Sequence, residues 1–428
     1  MNTKNRRVRP IAELLCFIIT AAVLLIFLLA SALIPRGSIY DNMLSSAEYL
    51  CEGELFGDAL EGIKGSRIDR YADSILLGIA WQYDAGHPLS SVMRSAYYYT
   101  PLQNENENLR EALLEEKEAN RQYLRYWHGS ITVVRPLLTI FTLKEIYAFN
   151  AAVMVVLLIA YIVIMIKNRA YVPLAGMLAA LVLTQVWFVP LSLEYTWTVM
   201  LMLIFAIAAF ILAKAGKSSL YGCLFVIAGV TTNYFDFLTT ETLTLTVPLL
   251  LIMWVEAKKV DSKKLWPLVI RSALCWGLSY VLMWLLKWGL AGAVLGENPL
   301  PYITEHVEER LGGGIGLNLW DYLWGAIFRN VSCLFPLEYG TTGKLTAIAL
   351  VIGYLYLISV YRKSTFDKKI IMIYGAAALL PYVRYLVLHN HSFIHCFFTY
   401  RAQIATVMAL AFIAGEMVDG KLLQRKKV

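Results

Sequence analysis

The chain has 428 residues, of which 58% are hydrophobic and only 16% charged, well below the roughly 25% charged residues of a soluble domain. With 13% aromatic residues, that composition excludes a disordered chain, a collagen-like repeat and a small disulfide scaffold. The formal net charge of +7 could suit a nucleic acid, but Lys and Arg border apolar spans. Their excess therefore reports orientation in a lipid bilayer, and no nucleic-acid partner is expected.

A bilayer core about 30 Å thick takes roughly 20 apolar residues in a helix. The first such run, Ile11 to about Ile34, follows Lys4, Arg6, Arg7 and Arg9. It exceeds the roughly 7–15 apolar residues of a signal peptide and lacks a small-residue cleavage site at Pro35 and Arg36, so it reads as a retained anchor. After a long segment, further spans are predicted near Tyr147–Ile166, Tyr171–Pro190, Thr198–Ala213, Ser218–Phe235, Leu243–Val255, Leu265–Trp288, Leu345–Tyr361, Ile370–Leu388 and Ala402–Val418. The expected fold class is an all-α polytopic membrane protein with about ten transmembrane helices (roughly nine to twelve). Its five parts are a cytoplasmic tail with the first span (1–34), an outer loop with amphipathic helices (35–146), spans (147–288), a second outer loop (289–343), and C-terminal spans with a cytoplasmic tail (344–428).

Every second loop is basic: Lys167 and Arg169; Lys214 and Lys217; Lys258, Lys259, Lys263 and Lys264; Arg362, Lys363, Lys368 and Lys369; and Lys421 to Lys427. The intervening loops Leu191–Trp197, Asp236–Thr240 and His389–Tyr400 carry no Lys or Arg. This asymmetry predicts a multi-pass plasma-membrane protein with both termini cytoplasmic. The long segments then lie outside, and the second carries a re-entrant or interfacial piece around Trp320–Phe335.

The six cysteines follow no zinc spacing. Cys16, Cys223 and Cys275 fall inside apolar spans as small core residues, whereas Cys51, Cys333 and Cys396 lie outside or at the interface, where pairing is open. There is no P-loop, no dinucleotide glycine fingerprint and no Gly-x-Ser-x-Gly elbow, which removes the usual support for ATP-driven transport, nicotinamide chemistry and a serine hydrolase.

In the first outer segment, Ile68, Tyr71, Ala72, Ile75, Leu76, Ile79 and Ala80 repeat at helical spacing and predict one buried stripe over Arg67–Asp84. Asp69 and Asp73 stand off that stripe, one turn apart, with Arg70 beside them. Either a solvated polar face or an acid site fits the pair. A second helix is expected over Asn106–Leu124 as a solvated cover. Next, the run from Tyr123 to Gly129 gathers Arg125, aromatic rings and His128 ahead of an apolar stretch.

All six histidines fall outside by this topology, three of them, His389, His391 and His395, in one connector. Imidazoles beside Arg401 can hold a phosphate through charge-assisted hydrogen bonds; a metal site is the weaker alternative, because His391 and His395 are only an i,i+4 pair. Asp236, Lys287 and Arg384 sit near outer span ends, where ionisable groups need a partner or water.

With these residues the chain resembles the GT-C superfamily of multi-spanning glycosyltransferases, most closely GT-C-like membrane proteins of Gram-positive cell-wall polysaccharide loci. The matching pieces are the single anchor before a long outer loop, Asp69-Arg-Tyr-Ala-Asp-Ser-Ile-Leu-Leu77, Tyr126-Trp-His-Gly129 with Arg135-Pro-Leu-Leu138, Asn233-Tyr-Phe-Asp236, Trp276-Gly-Leu-Ser-Tyr280 with Lys287-Trp288, and His391-Ser-Phe-Ile-His395 with Phe398-Thr-Tyr-Arg401. The resemblance implies an inverting transfer of a sugar from a polyprenyl-phosphate donor to a glycan acceptor on the outer face. It assigns the general base to Asp73, with Asp69 as alternate. Donor-phosphate and substrate binding falls to Arg70, His128, Asp236, Lys287, Arg384, His391, His395 and Arg401. No cofactor is required by it, and a divalent metal is left open. A transporter or flippase of lipid-linked glycan is the alternative from another class, but the two halves of the chain share no evident repeat. A polysaccharide polymerase or ligase is the other alternative, although its main loop usually lies nearer the C-terminal half.

Overall fold

The computed structural model describes residues 3–311, 317–335 and 340–419; the expected basic tail at Lys421 to Lys427 lies outside them. In chain order the helices are α1 (Thr3–Ala32), α2 (Tyr40–Cys51), α3 (Arg70–Gln82), α4 (Pro88–Arg94), α5 (Glu105–Leu114), α6 (Ile131–Leu137), α7 (Leu143–Lys167), α8 (Tyr171–Leu183), α9 (Leu193–Lys214) and α10 (Tyr221–Phe235). They continue with α11 (Leu243–Glu256), α12 (Leu265–Leu295), α13 (Leu300–Leu311), α14 (Leu319–Leu334), α15 (Gly340–Val360), α16 (Lys368–Val387), α17 (His389–Ile394), α18 (Cys396–Thr399) and α19 (Ile404–Met417). Two three-residue strands, β1 (Phe56–Asp58) and β2 (Arg67–Asp69), pair antiparallel with Phe56 opposite Asp69.

The protein is an all-α polytopic membrane protein. Among the described residues seven stretches are long and apolar enough to cross a bilayer: Pro10–Ala32, Leu143–Lys167, Leu193–Lys214, Ser262–Leu295, Gly340–Val360, Lys368–Val387 and Cys396–Met417. The three remaining expected spans form helices of 13, 15 and 14 residues, namely α8, α10 and α11. The helix expected to run on to Pro190 stops at Leu183, where Gln185 takes a left-handed turn (φ 51°) into a 3-10 segment holding Pro190. Burial separates inner from outer helices: 67% of the most apolar stretch of α9 is covered by protein, against 6% of that of α15. The uncovered faces of α1, α7 and α12 carry Ile18, Ile26, Val156, Leu278 and Leu285 into the surroundings, where hydrocarbon rather than water suits them.

Residues 35–142 fold over one end of the bundle. Arg135 of α6 ties the layer down, donating to the carbonyls of Ala32 (3.2 Å) and Ile34 (2.8 Å) at the end of α1 and of Tyr83 (3.2 Å) after α3. The indole of Trp127 donates to Met283 O in α12 at 3.0 Å. Inside the layer, Asn106 of α5 accepts from Ser74 of α3 at 2.6 Å and donates to Leu50 O at the end of α2 at 2.8 Å.

Two expectations for this layer change. The helix over Arg67–Asp84 is not one-sided, because every residue from Asp73 to Trp81 is buried; α2 and α5 cover the face that would otherwise meet water. The expected helix Asn106–Leu124 is shorter, Glu105–Leu114, opened by an Asn104–Glu107 capping box. It is less a solvated cover than a packing element, since Asn106, Asn108, Leu109, Ala112 and Leu113 are buried. Around Trp320, α14 buries Tyr322, Ala326, Asn330 and Cys333 and exposes Trp320, Trp324 and Phe328.

Beneath the layer a buried ion pair joins α16 to the loop before α11. Arg384 Nε lies 2.9 Å from Glu241 Oε1, and both side chains are at least nine-tenths buried. Deleting one partner of such a pair strands a charge at a cost of about 3–5 kcal/mol. Arg384→Met should accordingly lower the thermal midpoint of the detergent-solubilised protein sharply, and Arg384→Met with Glu241→Met should recover most of the loss. An unchanged midpoint in the single variant would show that the pair does not hold the fold.

Candidate functional site

Under the folded layer lies a cavity of about 180 Å³. Four stretches of chain supply its charged and imidazole groups, the first three being Asp69 at the start of α3, Arg125 and His128 before α6, and Glu194 in the first turn of α9. His391 and His395 enter from α17 and the residue following it, and Phe56, Tyr71, Tyr123, Tyr126, Phe237 and Phe398 form aromatic walls.

Asp69 is the N-cap of α3, where its Oδ1 accepts from the Ala72 N–H at 2.9 Å. It precedes the helix instead of occupying a turn within it, because the β1–β2 pairing holds Arg67–Asp69 extended and Arg67 is tied to Asp58 at 2.7 Å. Its carboxyl also meets Glu194 and, at 3.4 Å, the Tyr195 hydroxyl. Two carboxyls in hydrogen-bond contact share a proton. Burial is the largest influence on Asp69 and raises its pKa, which the bonds from Ala72, Glu194 and Tyr195 oppose.

Asp73, one turn on, is fully buried and does not reach the cavity. It accepts from the Tyr147 hydroxyl, from the Leu193 N–H at 2.9 Å and from the Ser192 hydroxyl at 3.3 Å. Burial pushes its pKa up to about 8 although the Tyr147 bond pulls it down, and the Asp69 charge adds to the rise. The solvated-face reading of these two acids is therefore wrong: both are buried, Asp73 fully and Asp69 to 3% exposure at the cavity wall.

His128 has a left-handed backbone (φ 53°), and at the next residue a Cβ would lie 2.2 Å from the Tyr234 ring, so Gly129 is required there. The His128 Nε2 lies 2.9 Å from Tyr123 O. A carbonyl only accepts, so Nε2 carries the hydrogen, and Nδ1, which has no hydrogen-bond partner among the described residues, carries the lone pair. Burial lowers its pKa to about 3. His128 is thus a neutral acceptor, and the expected role as a cation facing phosphate does not fit it. His391 likewise donates from Nε2 to Leu238 O at 2.9 Å, and its ring centroid stands 4.7 Å from that of His395. Arg125, which donates to the Tyr123 hydroxyl at 2.7 Å and lies over the Tyr123 and Tyr126 rings, is the cation that lines the cavity.

Five expected site residues are engaged elsewhere. Arg70 donates to Tyr49 O (2.8 Å) and Leu50 O (3.1 Å) and stacks on Tyr49, so it closes the end of α2 and does not bias the acids. Lys287 reaches Val92 O at 2.9 Å, Met93 O at 3.0 Å and Ser95 Oγ at 3.3 Å, capping α4. Arg384 is held by Glu241, Leu238 O and Ser392. Arg401 donates to Gly65 O at 2.8 Å beneath the Tyr195 and Tyr400 rings. Asp236 accepts from the Thr198 hydroxyl at 2.6 Å and from Thr239. Each supplies the bond that an otherwise stranded buried group needs.

Glu194 escaped the sequence reading. Its signal was an acid in the short loop Leu191–Trp197, where only the absence of Lys and Arg drew notice. Among the described residues no group of three or more His, Cys, Asp and Glu is arranged to hold a metal ion, so the donor set does not fit the divalent metal left open by the sequence.

Asp73 makes stability depend on pH. Between the ordinary carboxyl value of 3.8 and its folded value of about 8, the folded chain keeps a proton that the unfolded chain releases. Its contribution is therefore complete at low pH, declines as pH rises through that window and levels off above it. Asp73→Asn should flatten the fall in thermal midpoint between about pH 4 and pH 8. Parallel slopes for variant and wild type would show Asp73 to be ionised in the fold.

Compared with known proteins, the chain matches no family model, no curated protein and no solved structure.

Proposed function

We propose that the chain is an inverting glycosyltransferase of the GT-C kind, which moves a sugar from a polyprenyl-phosphate donor to a cell-surface glycan or lipid-linked acceptor at the outer face of the membrane. The observation that carries this reading is the Asp69–Glu194 carboxyl pair set in an aromatic-walled cavity. Aromatic faces take the apolar faces of a sugar ring, while carboxylates and the His128 Nδ1 accept from its hydroxyl groups. In this reading α8, α10 and α11 complete ten passes, and the cavity lies at the lipid headgroup level on the outer side.

Asp69 is the general base in this proposal, in place of Asp73, because it lines the cavity whereas Asp73 is sealed behind it. It takes the proton of the acceptor hydroxyl as that oxygen attacks the anomeric carbon from the face opposite the phosphate. The new carbon–oxygen bond forms, the bond from the anomeric carbon to the phosphate oxygen breaks, and its electron pair leaves with the polyprenyl phosphate. Arg125 and the His391–His395 pair face the charge that develops there. Glu194 keeps Asp69 aligned by sharing its proton until the acceptor arrives. Asp73, held by Tyr147 and Leu193, fixes the first turn of α3.

Loss of a general base costs typically 100-fold to 10,000-fold in rate. In proteoliposomes given labelled polyprenyl-phosphate sugars, Asp69→Asn should cut release of polyprenyl phosphate at least about 100-fold while the variant stays folded. Near-wild-type release would remove Asp69 as the base, and movement of the labelled lipid without any release by the wild type would replace transfer with transport.

A further inference from the structure

The end of the bundle opposite the cavity holds a second site. A crevice of about 240 Å³ opens among the ends of α7, α9 and α11, lined by Asn168, Arg169, Lys214, Trp254, Val255, Lys258 and Lys259. Glu194 at the cavity and Lys214 at the crevice bound one helix, α9, and a rise of about 1.5 Å per residue separates them by roughly 30 Å, the thickness of the hydrocarbon core. The crevice therefore opens at headgroup depth on the other side.

Unlike the buried cations, the four that line it, Arg169, Lys214, Lys258 and Lys259, are exposed, and among the described residues only Lys259 of these four forms an ion pair with an acid. Lys259 caps Ala213 O at 2.5 Å and pairs with Glu256 at 3.4 Å, and Glu256 is also held by the Tyr221 hydroxyl at 3.0 Å. Lys258 lies 3.3 Å from the centre of the Trp254 ring, and partial desolvation and the neighbouring Lys214 charge lower its pKa against the pull of Glu416. The side chains of Arg169 and Lys214 make no hydrogen bond or ion pair among the described residues. Among the described residues no carboxylate lines the crevice. Arg169 sits at a left-handed turn (φ 53°) that ends α7, which brings its side chain to the same opening as two lysines from other helices. The adjoining outer faces are apolar, with Val163 and Ile166 of α7 and Ile211 of α9 exposed.

We propose that this crevice binds the phosphodiester headgroup of an anionic phospholipid, with Arg169, Lys214 and Lys258 around the phosphate and the acyl chains along α7 and α9. A basic pocket between apolar helices at headgroup depth suits that ligand. An inorganic anion would gain the charges but not the apolar track.

The test uses full-length protein in a neutral detergent titrated with labelled phosphatidylglycerol or phosphatidylcholine. Phosphatidylglycerol should bind at least about tenfold tighter than phosphatidylcholine, and Arg169→Gln with Lys214→Gln and Lys258→Gln should abolish that preference. Removing three charges from the neighbouring basic loop, as Arg362→Gln, Lys368→Gln and Lys369→Gln, should leave it intact. Equal loss in both triple variants would reduce the effect to diffuse charge and overturn the site. Equal binding of the two lipids, or displacement by millimolar inorganic phosphate as effective as by unlabelled phosphatidylglycerol, would overturn it too.

Discussion

The constraint on which the structure turns is the cost of leaving a polar group unpaired where water is scarce. A chain this apolar has little water inside, so each buried cation has gone to a stranded carbonyl or an acid. Arg135 gathers the ends of α1 and α3, Lys287 closes α4, Arg384 meets Glu241, and Arg401 meets the loop at Gly65. These bonds clamp the layer of residues 35–142 onto the helices and fix the cavity walls. The same requirement explains why Arg125, held by a hydroxyl and two aromatic faces, is the cation that lines the cavity.

That accounting shows why the fold was legible from residue patterns while much of the site was not. Apolar length and alternating basic loops suffice for the long helices, because both are one-dimensional properties of the chain. They also place α10 and α11, expected near Ser218–Phe235 and Leu243–Val255 and found at Tyr221–Phe235 and Leu243–Glu256, but they overrun α8, which stops at Leu183. Charge near a span end cannot reveal its partner: Lys287 acts on a carbonyl 195 residues away in sequence. Arg384 needed Glu241, which is unremarkable in a Thr-rich stretch. By contrast, Asp69 beside a helical stripe, His128 in an aromatic run and His391 and His395 in one connector are local patterns, and the structure brings these four to one cavity.

The two acids show how position within a turn changes chemistry. Asp69 and Asp73 are four residues apart, and on an uninterrupted helix they would stand one above the other in equivalent surroundings. The short β1–β2 pairing instead ends at Asp69, so Asp69 leaves the helix register and faces the cavity, while Asp73 turns into the contact with α7 and α9. Glu194 and Leu193, adjacent on α9, touch the two acids separately, one at the carboxyl of Asp69 and the other at Asp73. One helix start therefore organises both.

The division of polar types within the cavity follows from the same economy of partners. A group can serve a visiting molecule only with bonding capacity its neighbours have not used. The neutral His128 retains an acceptor at Nδ1, and Asp69 and Glu194 retain carboxyl lone pairs beyond their shared proton. Acceptors therefore outnumber donors where Asp69, Glu194 and His128 meet, and the donor capacity of Arg125 is partly taken by Tyr123. A ligand rich in hydroxyl hydrogens satisfies such a wall better than a phosphate does. Under the proposed transfer, the sugar and the acceptor hydroxyl would therefore sit beside the acids, with the phosphate displaced toward Arg125 and the His391–His395 pair.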